Sequence, residues 1–215
     1  MKKSSLNVPN TLSLIRVLLV PAFVATLLFM RNIEIWGLIV PAVVYILTGL
    51  TDMLDGKIAR KYNLVTDFGK FIDPLADKFM VLSSMIAILV WMILRANVTL
   101  ALIFVWVVLI ILLRELGVTS LRLVVAGKSG IVVAASMLGK IKTVSQIVAI
   151  SVVFLEPVLQ LIIKFVAGLI LGETLVWRTD IIPLTYISIA FCLVMTVWSG
   201  INYIASYWKY LDPEK

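Results

Sequence analysis

Residues 51–78 of the chain read TDMLDGKIARKYNLVTDFGKFIDPLADK. Four of the acids in this stretch, at positions 52, 55, 73 and 77, stand in a chain that is 62% hydrophobic and only 14% charged. Long apolar runs lie on both sides of the stretch, and the segment KYNLVTDFG between its two acidic pairs has the composition of a turn. The stretch therefore predicts the polar ends of two antiparallel apolar helices.

The composition of the whole chain predicts a membrane protein with helices only. A hydrocarbon layer of about 30 Å is crossed by roughly 20 helical residues. Six apolar runs in the 215 residues are long enough for such a crossing: 11–30, 35–56, 72–94, 98–125, 133–163 and 181–205. We therefore expect six transmembrane helices in a single domain, residues 1–215, because no linker or change of composition divides the chain.

The placement of Lys and Arg predicts the orientation of these helices. Cytoplasmic flanks of membrane spans collect positive charge. With both termini in the cytoplasm, 15 of the 19 Lys and Arg residues lie on the inner side. The four on the outer side would be Arg31, Arg95, Lys164 and Arg178. We therefore expect cytoplasmic termini, with residues 51–78 facing the cytosol.

Several kinds of site are excluded by residue type. The chain has no His, which excludes histidine ligands and histidine bases, and its single cysteine, Cys192, excludes an intrachain disulfide. The first apolar run contains Arg16 and Pro21 and has no small-residue cleavage site, which favours a retained helix over a cleaved signal peptide. Membrane lipids, and no nucleic acid, are the expected surroundings.

Helical spacing places the acids of residues 51–78 on two faces. Because an α-helix advances about 100° per residue, Asp52 and Asp55 share one face of the second helix. Gly56 and Ala59 lie on that same face, and the missing side chains at Gly56 and at Gly69, four residues before Asp73, would let a bulky ligand approach the backbone. For the glycines in this region, close packing of helices is an equally good interpretation.

Asp73 and Asp77, four residues apart, share a face at the start of the third helix. Adjacent antiparallel helices would bring these two acids to the pair on the second helix. Four carboxylates in an apolar setting repel one another unless cations neutralise them, and hard divalent ions such as Mg²⁺ or Mn²⁺ prefer oxygen ligands. The sequence thus predicts a divalent metal site. Asp67 lies outside this spacing and is interpreted as a turn residue.

The spacing Asp52-x2-Asp55-Gly56-x2-Ala59-Arg60-x8-Gly69-x3-Asp73-x3-Asp77 resembles the signature of the CDP-alcohol phosphotransferases. The resemblance implies the six-helix fold of that family in an enzyme that is usually a homodimer. Such an enzyme transfers a phosphatidyl or related group from a CDP-linked donor to an alcohol and releases CMP.

The resemblance also implies roles for individual residues. Two metal ions, Mg²⁺ or Mn²⁺, would be held by Asp52, Asp55, Asp73 and Asp77, and Asp77 would also act as general base. The CDP-linked donor would be bound by Asn10, Asp52, Gly56, Ala59, Arg60 and Gly69. Asn10 and Arg16 are similar to an amino-terminal P-N…R pattern of the family, which implies contact with the donor's head group; anchoring at the membrane interface would explain the two residues nearly as well.

Cations in the second half of the chain predict a second anion site. Arg114, Arg122, Lys140 and Lys142 occur in apolar helices, where a cation is costly unless it is paired or functional. Their convergence beside a metal site favours an acceptor that is itself phosphorylated. Alternatively, Arg114 only pairs with Glu115 or another acid, and the lysines are anchors on the cytoplasmic side.

Within the family, the segments VPNTLSLIRVLLVP, RELGVTSLR, LGKIKTVSQ and VWSGINYI are similar to the bacterial phosphatidylglycerophosphate synthases. This similarity implies transfer from CDP-diacylglycerol to sn-glycerol 3-phosphate at the bacterial inner membrane. Phosphatidylinositol phosphate synthases and cardiolipin synthases of the same family are alternatives. A cation transporter fits less well, because its acids are expected near the bilayer midplane rather than at helix ends.

Overall fold

The computed structural model describes residues 7–33, 35–62, 66–95, 97–129, 137–171 and 183–208. Within these ranges it describes only the backbone of residues 9, 52–61, 67, 70, 126, 128, 129 and 171.

The described residues form an all-helical structure, as predicted. Its six helices are α1 (Val8–Phe29), α2 (Trp36–Lys61), α3 (Asp67–Leu94), α4 (Val98–Ser129), α5 (Met137–Leu171) and α6 (Pro183–Tyr207). Five of them, all except α2, contain a described apolar stretch long enough to cross a membrane. In α2 the corresponding apolar stretch is Trp36–Thr51. The chain is therefore built as a multi-pass membrane protein.

Side chains at the first turns explain where α1 and α3 begin. Asn7 precedes α1, and its side chain accepts a hydrogen bond from the Asn10 N–H at 3.0 Å. Thr66 does the same for the Gly69 N–H, also at 3.0 Å. The interpretation of Asp67 as a turn residue was wrong, because the Thr66 cap starts α3 at Asp67, where an acid is favourable at the positive end of a helix.

Helices α1 and α3 run parallel to each other. At their starts, the Asn10 amide donates to Thr66 Oγ1 at 2.8 Å and the Ser13 hydroxyl donates to Asp73 at 2.6 Å. At their far ends, the Arg95 guanidinium donates to the Arg31 carbonyl. Because α2 connects the end of α1 with the start of α3, it has to return along the bundle between these two levels.

The helices of the second half of the bundle also alternate in direction. Lys78 of α3 donates to Thr119 of α4, which places the later part of α4 beside the first half of α3. The Glu156 side chain of α5 accepts from the backbone N–H groups of Leu184 and Thr185 at 3.0 and 2.7 Å, and so caps the start of α6. Together, the starts of α1, α3 and α5 and the ends of α2, α4 and α6 form one end of the bundle, called the acidic end below.

Apolar packing fills the far half of the bundle. Phe23 of α1 lies between two aromatic rings, with ring centroids 5.5 Å from Tyr45 and 5.9 Å from Phe154. Trp91 extends this group, with its ring 6.3 Å from that of Phe154. These contacts join α1, α2, α3 and α5, and they fix the helices whose other ends carry the polar side chains.

Candidate active site

Polar side chains of α1 and α3 meet at the acidic end. Asn10 and Ser13 are buried, and both point from α1 towards the start of α3. Ser13 donates its hydroxyl hydrogen to Oδ1 of the half-buried Asp73, which fixes the orientation of that carboxyl group. The burial of Asn10 and its bonds to Thr66 place its side chain inside the bundle, so it does not anchor the protein at the membrane interface.

Gly69 permits the close approach of α1 to α3. A Cβ atom at this position would lie 2.7 Å from Asn10 Oδ1 and 3.3 Å from Thr66 Oγ1, distances that are too short without movement of those side chains. Helix packing therefore explains why residue 69 is Gly. Contact between Gly69 and a CDP-linked donor stays a prediction.

The predicted site residues of α2 are Asp52, Asp55, Gly56, Ala59 and Arg60. The helical backbone of α2 includes all five, close to the helix end that leads to α3. Their side chains lie outside the described residues. Among the residues whose side chains are described, no group of three or more potential metal ligands comes together.

Asp77 lines a small cleft between α3, α4 and α5. Lys78, Glu115 and Lys142 line the same cleft, together with Thr143, Gln146, Val81 and Leu82. On the same face of α3, Asp73 thus contacts Ser13 of α1, and Asp77, one helical turn later, lines the cleft with residues of α4 and α5. A cleft with an acid beside two lysines can bind a small anion and place it close to a base.

Glu115 joins two of the predicted cations. Its Oε1 atom accepts from Arg114 Nη1 at 3.1 Å and also from Lys142 Nζ. All three side chains are at least 89% buried. Arg114 thus pairs with Glu115, as one of the two interpretations of the sequence predicted. Lys142 pairs with the same carboxyl group.

Helix α6 positions the two arginines. Arg114 Nη2 donates to Ser199 Oγ at 2.6 Å, and the absence of a side chain at Gly200 leaves room for the Arg114 stem, because a Cβ there would lie 3.2 Å from Arg114 Cγ. Arg122 donates to the Tyr203 hydroxyl and lies 5.0 Å from the centre of that ring. Arg114 is 5.9 Å from the same ring.

The four predicted anion-binding cations thus lie in different surroundings. Lys142 lines the cleft, Arg114 lies behind it on Glu115, Arg122 is held by Tyr203, and Lys140 is exposed. Sequence reasoning did not single out Lys78 or Gln146 in the cleft, nor Ser13 on Asp73. Their spacing on amphipathic helices is the same as that of ordinary packing residues, so only the assembled bundle distinguishes them.

Comparison with known proteins places this geometry in a family. The model of the CDP-alcohol phosphatidyltransferases matches residues 6–198. The chain belongs to the CDP-alcohol phosphatidyltransferase family. The match covers all six helices up to the last part of α6, and it confirms the family predicted from the acidic spacing.

Relatives within the family are similar over most of the chain. A CDP-diacylglycerol–glycerol-3-phosphate 3-phosphatidyltransferase of Bacillus subtilis is 36% identical over 214 residues, which is 95% of this chain and 97% of the relative. A protein of the same name from Yersinia enterocolitica is 32% identical over 97% of this chain and 99% of the relative. A probable phosphatidylglycerophosphate synthase of Mycobacterium tuberculosis is 37% identical over 67% of this chain and 64% of the relative.

The family generally depends on divalent metal ions. The described acids fit such an ion, because Asp73 and Asp77 present carboxyl oxygens one turn apart and these are the ligands that hard divalent cations prefer. Ser13 occupies one oxygen of Asp73 as a hydrogen-bond donor, and it thereby orients the group in the manner of residues that support metal ligands.

Replacing Gly69 with Ala tests the packing of α1 on α3. We expect Gly69→Ala to lower the free energy of unfolding by about 1–3 kcal/mol, because the added methyl group has to displace Asn10. The double variant Gly69→Ala with Asn10→Ala should lose less free energy of unfolding than the two single variants lose in sum. The measurement is equilibrium unfolding of purified protein by titration of dodecyl sulfate into mild detergent micelles.

Gly117→Ala is the matched control, because a Cβ at this helical position meets no atom within 4 Å. This control should be neutral or slightly stabilising, since Ala favours helix over Gly. Strict additivity of Gly69→Ala and Asn10→Ala would contradict the steric explanation.

Removing the charge of Glu115 tests the buried ion cluster. Glu115→Gln leaves Arg114 and Lys142 buried without their acid, so we expect a loss of about 3–5 kcal/mol in the free energy of unfolding. The double change Glu115→Gln with Lys142→Met should recover part of this loss, because it also removes one of the two cations. The same detergent titration measures the stability of both variants. A double variant less stable than Glu115→Gln would contradict the conclusion that Glu115 neutralises Lys142.

Proposed function

We propose that the protein is a phosphatidylglycerophosphate synthase, which transfers the phosphatidyl group of CDP-diacylglycerol to sn-glycerol 3-phosphate and releases CMP. The proposal rests on the cleft at the acidic end, where Asp77 lies in one space with Lys78 and Lys142. Relatives named for this reaction, similar over at least 93% of the chain in several bacteria, support the choice of donor and acceptor.

The chemistry is a displacement at phosphorus. A hydroxyl oxygen of the acceptor forms a bond to the phosphorus that bears diacylglycerol, and the bond from that phosphorus to the oxygen bridging it to CMP breaks. The hydroxyl proton passes to the Asp77 carboxylate, and the bridging oxygen leaves with its electron pair as part of CMP. General base catalysis of this kind contributes about 10²–10⁴-fold, and a carboxylate can supply it in a chain without His.

Two ions of Mg²⁺ or Mn²⁺ are the proposed cofactor, held by Asp73 and Asp77 on α3 and by Asp52 and Asp55 on α2. When bound, such ions neutralise the diphosphate and the negative charge that develops on the leaving CMP. The donor-binding roles of Asn10, Gly56, Ala59, Arg60 and Gly69 rest on the resemblance to the family and stay predictions.

The acceptor's phosphate is proposed to bind to Lys142 and Lys78, with Arg114 adding positive charge from behind Glu115. An ammonium group has three N–H donors, and the Glu115 bond uses one of those of Lys142, so further donors remain for phosphate oxygens. Roles for Arg122 and Lys140 in the same pocket stay predictions, since Tyr203 binds the first and the second is exposed.

The proposed topology has six membrane spans, with both termini and the active site on the cytoplasmic side of the bacterial inner membrane. The parallel arrangement of α1 and α3 supports a crossing by α2, which connects their opposite ends. The excess of Lys and Arg at the acidic end supports the orientation. A homodimer in this membrane is proposed from the resemblance to the family alone.

Cysteine labelling in intact bacterial cells tests the topology. In a Cys192→Ser background, Lys3→Cys and Glu214→Cys should react with a membrane-impermeant maleimide only after the cells are opened. Thr174→Cys, between α5 and α6, should react in intact cells and serves as the matched control. Labelling of only one terminus in intact cells would indicate an odd number of spans and contradict the proposal.

Release of CMP by purified protein tests the reaction. With CDP-diacylglycerol and Mg²⁺ or Mn²⁺ in detergent, we expect CMP when sn-glycerol 3-phosphate is added and none with inositol phosphate, inositol or serine. Asp77→Asn should lower this rate by about 10²–10⁴-fold through loss of the base. Release only with a different alcohol would replace the acceptor within the family, whereas no release with any alcohol would reject the enzyme assignment.

A further inference from the structure

Gln146 presents a buried amide group in the cleft that contains Asp77. Its side chain has no exposed surface, and neither the amide nitrogen nor the amide oxygen has a hydrogen-bond partner among the described residues. An unsatisfied buried amide is destabilising, because the group has lost its hydrogen bonds to water without gaining others. A side chain of this kind at the wall of a cleft indicates a partner that enters the cleft.

Three other described polar side chains of the cleft donate hydrogen bonds to groups of the protein itself. Lys78 donates to Thr119, Lys142 donates to Glu115, and the Thr143 hydroxyl donates to the Gly139 carbonyl. Gln146 lies one helical turn beyond Lys142 on the same face of α5. Its amide is thus placed beside Lys142 of the proposed phosphate site, in the cleft that Asp77 also lines.

The chemistry of an amide selects the kind of partner. A primary amide offers N–H donors and a carbonyl acceptor side by side, whereas the oxygens of an ionised phosphate only accept. A hydroxyl group both donates and accepts, and can therefore satisfy both ends of the amide.

We infer that Gln146 binds the hydroxyl group of the acceptor that does not react, and so determines specificity for a polyol phosphate. The inference rests on the proposed function. In sn-glycerol 3-phosphate the phosphate would contact the two lysines, the terminal hydroxyl would face Asp77, and the middle hydroxyl would bond to Gln146. An acceptor without the middle hydroxyl leaves the amide unsatisfied and should be used poorly.

Two acceptors and one substitution test this contact. The unaltered protein should use sn-glycerol 3-phosphate with a kcat/KM about 10–100-fold above that for 3-hydroxypropyl phosphate, the same three-carbon chain without the middle hydroxyl. In Gln146→Met, which keeps the length of the side chain and removes the amide, the two values should come within about threefold of each other. The change should come from sn-glycerol 3-phosphate, with 3-hydroxypropyl phosphate little affected.

Ser151→Ala is the control on the same helix, because the Ser151 hydroxyl bonds the Ile147 carbonyl and does not line this cleft. It should keep the preference of the unaltered protein. Should Gln146→Met fail to fold, Gln146→Asn withdraws the amide by one methylene group and should also reduce the preference.

Equal use of the two acceptors by the unaltered protein would overturn the inference without any variant. The inference would also be overturned if Gln146→Met lowered kcat/KM for both acceptors by the same factor, as a purely structural role predicts. Failure of the proposed function is distinguishable, since the unaltered protein would then release no CMP with either acceptor; that result would overturn the contact together with the reaction.

Discussion

The polar end of this bundle depends on the ion pairs that Glu115 forms with two buried cations. A cation inside an apolar bundle has to find its counter-charge within the protein, because lipid offers none. Glu115 supplies it to Arg114 of the same helix and to Lys142 of α5, and Arg114 continues to Ser199 of α6. One carboxyl group therefore fixes α4, α5 and α6 relative to one another at the level where Asp77 of α3 lines the cleft.

A second constraint holds the other half of the bundle. Helices α1 and α3 come close enough for Asn10 to contact Thr66 only because residue 69 has no side chain. The same approach lets Ser13 reach Asp73 and orient it. Packing and chemistry are thus coupled at the start of α3, since the glycine that admits α1 also determines how the first acid of that helix is held.

The fold could be predicted from the sequence because its main features are local. Apolar runs predicted the six helices, and the one-turn spacing of Asp73 and Asp77 predicted a shared face on α3. Asp67 was misjudged because its residue type suits a turn as well as a first helical turn, and the cap that decides between them depends on the Thr66 side chain. The choice between helix packing and ligand space at Gly69 depended on a neighbour 59 positions away, Asn10, which no spacing along one helix reveals.

The candidate site was predictable in its residue types and less so in its arrangement. Arg114 and Lys142 were expected in one anion pocket, yet their shared contact is the acid beside the first of them. This arrangement has a physical reason. Cations that faced one another across an apolar bundle with no acid between them would repel, so a pocket that stays folded before its anion arrives needs an internal counter-charge.

The cleft extends this logic to the choice of acceptor. An incoming phosphate brings negative charge next to Glu115 and Asp77, and Lys78 and Lys142 are the cations of the cleft that attract it. A neutral alcohol would add no charge for these lysines to offset, and a larger polyol phosphate would have to fit the walls formed by Val81 and Leu82. Charge therefore favours a phosphorylated acceptor, and the amide of Gln146 provides the neutral polar contact that a hydroxyl between the phosphate and the reacting end requires.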